Sequence, residues 1–276
     1  MLDLEAYLAR IGVRGRPGLA AVHRAHVTSI PFENLDPHRG VPVSLAPEDL
    51  ERKLVTERRG GYCFEHNLLL KAALEQLGLL VEPMLARVRI GAPPGASRPR
   101  SHLVLRVRAD GAGWHADVGF GAGGPLEPIP FGTGGPYEQA GWVIRVVEDD
   151  RSGELVLQEQ ANDEWVDLYA FVPDPVPHVD IEVSNWYTCT SPRSPFVTGL
   201  VVASVDDGGM RTMLRGSWSE DGSDSGSGSG EVALTEDTPG ASTVTPVARK
   251  QIPELLAERF GLSGFGLGED GRVVAV

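Results

Sequence analysis

The stretch Arg58-Arg59-Gly60-Gly61-Tyr62-Cys63-Phe64-Glu65-His66-Asn67 decides how this chain is read. The residues after it are free of Pro and Gly as far as Gly78. They predict a helix from about Cys63 to Gln76 with Gly78 capping its C-terminal end. Gly60-Gly61 lets the backbone turn sharply and approach other chain closely. Cys63 then falls in the first helical turn, where unpaired N–H groups and the helix dipole favour a negative sulfur. That position favours the thiolate, the reactive form of the side chain. The competing reading is a cysteine that serves as a small buried hydrophobe.

Upstream, the chain reads as helical. Leu4, Leu8 and Ile11 share one face of a short helix, and Pro17 opens a second one through Leu19, Val22 and His26. Ile30-Pro31-Phe32 ends it, because a residue before proline avoids the α region. Pro47-Glu48-Asp49-Leu50 starts a third helix running to about Arg58. Downstream, the period changes. Segments 84–90, 102–107, 114–118, 141–147, 155–160 and 164–169 are alternating or β-branched, as strands are. Short strands with Gly-rich turns predict an antiparallel barrel or strongly curled sheet. Residues 199–216 predict a further strand pair around Asp207-Gly208-Gly209. Residues 217–231 are a polar Gly/Ser tract expected to be a mobile insert. Thr245 to Phe260 carries an amphipathic helix with Ile252, Leu255, Leu256 and Phe260 on one side.

A net charge of −13 gives no general attraction to nucleic acid or anionic membrane, so neither is an expected partner. The N-terminus shows no basic-then-apolar signal, and no apolar run approaches the length of a membrane span. Two cysteines, Cys63 and Cys189, do not make a secreted disulfide framework. A reducing cytoplasm is the expected location. There is no phosphate-loop motif and no metal-ligand spacing, so no metal is expected.

A nucleophilic cysteine needs a base, and the base needs an orienting group. His102 opens the apolar segment Ser101-His102-Leu103-Val104-Leu105, and Asp117 ends Trp114-His115-Ala116-Asp117. Adjacent antiparallel strands would set these two side chains together. His66 and His115 compete for the base role, and composition does not choose between the three.

The segments 30–36 (IPFENLD), 58–67 (RRGGYCFEHN), 101–107 (SHLVLRV) and 117–121 (DVGFG) resemble, in order, the motifs of arylamine N-acetyltransferases. Ser184-Asn185-Trp186-Tyr187 and Phe196-Val197-Thr198-Gly199-Leu200 extend the resemblance to about residue 200, and the last seventy-odd residues match poorly. The resemblance implies an α+β, multi-domain fold. A helical domain (1–80) would carry the cysteine, a β-barrel domain (81–190) the His and Asp, and an α/β lid (191–276) would include the insert. It implies Cys63, His102 and Asp117 as the catalytic set, in the arrangement of cysteine proteases and transglutaminases. Glu33 and Arg59 would tie the Pro-Phe-Glu-Asn loop to the cysteine loop as structural support.

The implied activity is ping-pong transfer of acetyl from acetyl-CoA, a co-substrate and not a bound cofactor, to an arylamine, arylhydrazine or hydrazide. Phe32, Phe120 and Phe196 match positions lining an apolar pocket for such an acceptor, with Phe64 and Val88 as neighbours. Gly119 and Gly121 are candidates for offering N–H groups to a CoA phosphate. Arg87, Arg89, Arg98 and Arg100 form a local cationic stretch whose plainer reading is a solvated strand face. Three alternatives stand beside this one: an amide synthase releasing a polyketide from its carrier protein by macrolactam formation, a cysteine thioesterase or amidase, and a binding module with a vestigial triad.

Overall fold

Three two-residue turns set the registers in the middle of the chain. Asp110-Gly111, Ala140-Gly141 and Asn162-Asp163 all have positive φ at both positions. This is the turn geometry whose twist matches a right-handed antiparallel pair. Ala109 thus pairs with Ala112, Gln139 with Trp142, and Ala161 with Glu164. The computed structural model describes residues 2–93, 96–121, 123–217 and 232–276.

Eight strands form one antiparallel sheet, in the order Ile129–Pro130, Ala112–Ala116, His102–Ala109, Leu80–Val88, Glu164–Phe171, Leu155–Ala161, Trp142–Glu148, Gly134–Gln139. The two edge strands are consecutive in sequence, separated only by residues 131–133. A link that short reaches across about 10 Å, so the sheet has to curl until its edges approach. The expected α+β class with a barrel-like sheet is what the chain forms. Met84, Ala86, Val104, Ile144, Val146, Leu157, Leu168, Tyr169 and Phe171 are all buried in one cluster with this sheet.

The Cys63–Gln76 helix packs across the His102–Ala109 strand. Leu69, Leu70, Ala73 and Leu74 are buried with Leu105, Val107 and Ala116. At its N-terminus the Glu65 carboxylate accepts the Tyr62 N–H at 3.0 Å. At its C-terminus Gly78, with φ 90, lets its own N–H reach Glu75 O and the Leu79 N–H reach Leu74 O, each at 3.0 Å. The predicted boundaries of this helix therefore stand.

A second antiparallel sheet contains Gly199–Val205, Arg211–Ser217, Val232–Thr238 and Ala241–Val247, and its edge is completed by Phe32–Glu33 from far upstream. The helix Ile252–Phe260 covers it through Ile252, Leu256 and Phe260. Among the described residues no helix is long and apolar enough to cross a membrane.

Several elements differ from expectation. The segment from Pro47 is α-helical only to Leu50 and continues as a π-helix, Glu51–Thr56, which buries Lys53. Residues 245–247 belong to a strand, and the final α-helix begins at Ile252 after a 3-10 turn, Arg249–Gln251. The helix His178–Thr190 was not foreseen. Its inner face buries Asn185 and Thr188 alongside Ile181 and Cys189, while its outer face exposes the apolar Val179, Val183 and Trp186, which blurs the usual amphipathic pattern. The strand Gly134–Gln139 and the pair Phe265–Leu267 with Val273–Ala275 are short and were also missed. Ser217 ends a strand. The rest of the expected insert, 218–231, lies outside the described residues.

Candidate active site

Cys63 sits at the first turn of its helix because Gly60 and Gly61 thread the chain into a crowded place. A Cβ on Gly60 would fall 1.9 Å from Pro31 O, and one on Gly61 2.7 Å from the Glu65 carboxylate. Gly61 bridges to Phe32, and the Glu33 N–H reaches Gly61 O at 2.7 Å. From below, Gly119 presses on the same turn, where an added Cβ would meet Cys63 Cα at 2.7 Å. Cys63 is 3 % exposed, and its thiol lies 3.6 Å from Ser101 O.

The residue after Ser101 is His102, which opens the strand His102–Ala109. Its Nε2 lies 2.7 Å from Asp117 Oδ2, and Cys63 lies close enough to act on the electrostatics of the ring. Burial alone pushes this imidazole down. The charge and hydrogen bond of Asp117, joined by the Cys63 contact, outweigh it and lift the pKa to about 10. For Asp117 burial acts upward, but His102, Asn67 and the Gly119 N–H hold the carboxyl well below the usual carboxylate range. The pair is thus imidazolium and carboxylate at neutral pH, with both side chains buried.

The other histidines are committed elsewhere. His66 Nε2 lies 3.2 Å from Pro31 O, and its Nδ1 lies 2.9 Å from His26 Nε2. A carbonyl only accepts, so His66 donates from Nε2 and accepts at Nδ1. His26 in turn accepts from the Tyr7 hydroxyl, 2.9 Å away. Burial pushes His66 down to about 4. His115 bonds the Tyr169 hydroxyl at 2.7 Å and is likewise pushed by burial to about 4. Of the three candidate bases, His102 is the one bonded to a carboxylate.

Sequence reasoning left Asn67 without a role. Its Nδ2 donates to Asp117 Oδ1 at 2.9 Å and to Leu103 O at 2.8 Å, while its Oδ1 accepts the Val118 N–H at 3.1 Å. One amide thus ties the cysteine helix to the His strand and the Asp loop. Its spacing from Cys63, i to i+4 on one helix face, was a usable signal.

The sequence matches the N-acetyltransferase family over residues 17–263. An arylamine N-acetyltransferase of Mycolicibacterium smegmatis is 44 % identical over 78 % of this chain and 80 % of its own. One of Mycobacterium bovis is 37 % identical over 99 % of this chain and 93 % of its own. The chain belongs to the arylamine N-acetyltransferase family. The solved structure of the Mycobacterium marinum arylamine N-acetyltransferase in complex with CoA superposes with a TM-score of 0.84 at 38 % identity, over 94 % of this chain and 93 % of that one.

In this arylamine N-acetyltransferase family member the expected aromatic residues divide. Phe120 is half-buried and stands edge-on to His102, ring centroids 5.1 Å apart. Phe196 is half-buried against Phe32 and Tyr62, at 5.9 and 5.7 Å. Val88 is half-buried at the strand end opposite Tyr169, whose ring also packs on His102. Phe64 is a correction: it is fully buried, edge-on to Tyr62, and has no surface to offer a ligand. Gly119 is another. Its N–H is held by Asp117 Oδ1 at 2.9 Å and is not free for a phosphate. Gly121 has φ +83 and faces the Phe32 ring.

The cationic stretch takes its plainer reading. Arg89 is bound by Asp149, Glu154 and Asp167, and Arg87 by Glu154. Glu33 and Arg59 do meet, at 2.7 Å, inside a larger cluster in which Arg59 also holds Asp36, and Lys53 holds Asp36 and Glu65.

Proposed function

We propose that this chain transfers acetyl from acetyl-CoA to an arylamine, arylhydrazine or hydrazide through an acetyl-Cys63 intermediate. The observation that carries the reading is the buried His102–Asp117 pair, 2.7 Å apart, with Cys63 beside it at the start of its helix.

In the reacting state His102 carries the Cys63 thiol proton, and the thiolate attacks the thioester carbonyl of acetyl-CoA. Negative charge develops on the carbonyl oxygen. The Cys63 N–H, first in its helix, donates to no protein acceptor among the described residues and would hold that oxygen. The carbon–sulfur bond to CoA breaks, and the CoA thiolate leaves with the proton from His102. Acylation removes the Cys63 contribution that keeps His102 protonated, so the imidazole becomes a better base for the second half. The amine attacks the acetyl-cysteine, gives its proton to His102 and releases the Cys63 thiolate. Asp117, fixed by Asn67 and Gly119, stabilises each imidazolium.

Arylamines are neutral at pH 7 and suit an apolar cleft, which Phe32, Phe120, Phe196 and Val88 would line. The boundaries 1–80, 81–190 and 191–276 are proposed as the cysteine-bearing, His/Asp-bearing and covering portions of the enzyme.

The experiment is incubation with acetyl-CoA followed by aniline or hydrazine derivatives, comparing wild type with Cys63→Ala. Wild type is expected to show a +acetyl mass on the Cys63 peptide and amine-dependent product. The variant is expected to lose both. Transfer by Cys63→Ala would remove the mechanism. Rapid loss of the adduct in water without amine would favour a hydrolase.

A further inference from the structure

One buried imidazole close to the site has no part in the reaction as derived. His23 is fully buried in the helix Leu19–Ser29 and spends both ring nitrogens on a single loop. Its Nε2 lies 3.1 Å from the backbone nitrogen of Asp117, and its Nδ1 3.0 Å from the carbonyl oxygen of Leu126. An N–H only donates and a carbonyl only accepts, so the ring is neutral with its proton on Nδ1. Burial, which pushes His23 to about 4, agrees with that form.

The span between those two contacts carries Asp117, Gly119, Phe120 and Gly121. Its near end is held further by Asn67, and its far end by Gln139, whose Oε1 accepts the Leu126 N–H at 2.8 Å. Arg24, beside His23, holds Glu127 at 3.0 Å and Asp207 O at 2.6 Å. No other side chain described above grips both ends of this loop.

We propose that His23 is a positioning residue for acyl transfer: its Nε2 fixes the Asp117 backbone behind His102, and its Nδ1–H fixes the loop end that holds Phe120 against the imidazole. The two nitrogens then have separable consequences. Loss of the Asp117 contact lets the carboxylate drift from His102 and slows chemistry. Loss of the Leu126 contact frees Phe120 and weakens acceptor binding.

This inference rests on the transfer reading above, and two variants test it. In His23→Asn the side-chain amide sits near the Nδ1 position and can donate to Leu126 O, but nothing reaches Asp117. Its kcat is expected to fall about tenfold or more, with the amine KM near wild type. In His23→Gln the Oε1 reaches the Nε2 position and accepts the Asp117 N–H. Its kcat is expected to stay within about threefold of wild type while the amine KM rises. Equal losses in both variants, tracking their melting temperatures, would overturn the proposal.

A wild-type measurement stands independently of either variant's folding and of turnover. Nitrogen chemical shifts of the His23 ring at pH 7 are expected to report a neutral ring protonated at Nδ1. A ring protonated at Nε2, or charged, would overturn the proposal. A wild type that transfers nothing would instead sink the transfer reading, leaving the ring measurement to judge His23.

Discussion

His102 and Asp117 show how two ordinary side chains acquire a pH window. The folded imidazole titrates at about 10 against 6.5 for a free one. A base raised in this way contributes stability fully below about pH 6.5, and that contribution is lost as pH rises through about 10. Urea unfolding of wild type is therefore expected to weaken across pH 6.5 to 10 more steeply than unfolding of His102→Gln. Equal slopes would mean the imidazolium is not held by Asp117. For activity the matching change is Asp117→Asn, which offers an N–H where His102 needs an acceptor. A kcat loss of about 10⁴-fold is expected at unchanged fold, as in triads generally. An unchanged kcat would reduce Asp117 to a loop residue.

At the scale of elements, close backbone approach sets the site. The cysteine turn is wedged between the Pro31–Glu33 segment above and Gly119 below, and no Cβ fits at Gly60 or Gly119. Gly119→Ala has to move the Asp117 loop off the cysteine helix. It is expected to destabilise by about 1–3 kcal/mol, the usual cost of overpacking. Acetyl-enzyme formation should slow by more than the loss of folded protein explains. Thermal unfolding and mass spectrometry of the acetyl adduct check the two effects separately. The legibility of elements follows the same logic. Helix Cys63–Gln76 was readable because its caps are local, Glu65 at one end and Gly78 at the other. Helix His178–Thr190 was not, because its buried side uses Asn185 to hold Val43 O at 2.9 Å and to bond the Tyr62 hydroxyl. A polar residue earns no weight in a hydrophobic pattern, whatever it bonds once folded.

For the whole molecule, the question is what joins the two sheets that enclose the site. Arg211, from the second sheet, makes a bidentate pair with Glu159 of the first, at 2.7 and 2.6 Å, and its guanidinium lies 3.5 Å from the Trp142 ring centroid. Trp142 in turn donates to Gly209 O at 2.7 Å. Arg211→Ala leaves Glu159 charged and unpaired where the pair was buried. A destabilisation of about 3–5 kcal/mol is expected, measured by denaturant unfolding. A change below about 1 kcal/mol would mean that water already reaches the pair.

Cys63, His102 and Asp117, the barrel-like sheet and the family could all be recognised along the chain, because each announces itself through neighbours a few residues away: paired glycines, a helix start, a strand's alternation, a tight turn. Nothing comparable marks His23, which lies 94 residues from Asp117, or the charge states of His102, His66 and His115. Those depend on which hydrogen-bond partners remain once each ring is enclosed. A buried imidazole takes the charge state its neighbours permit, and those neighbours exist only after distant segments have packed together.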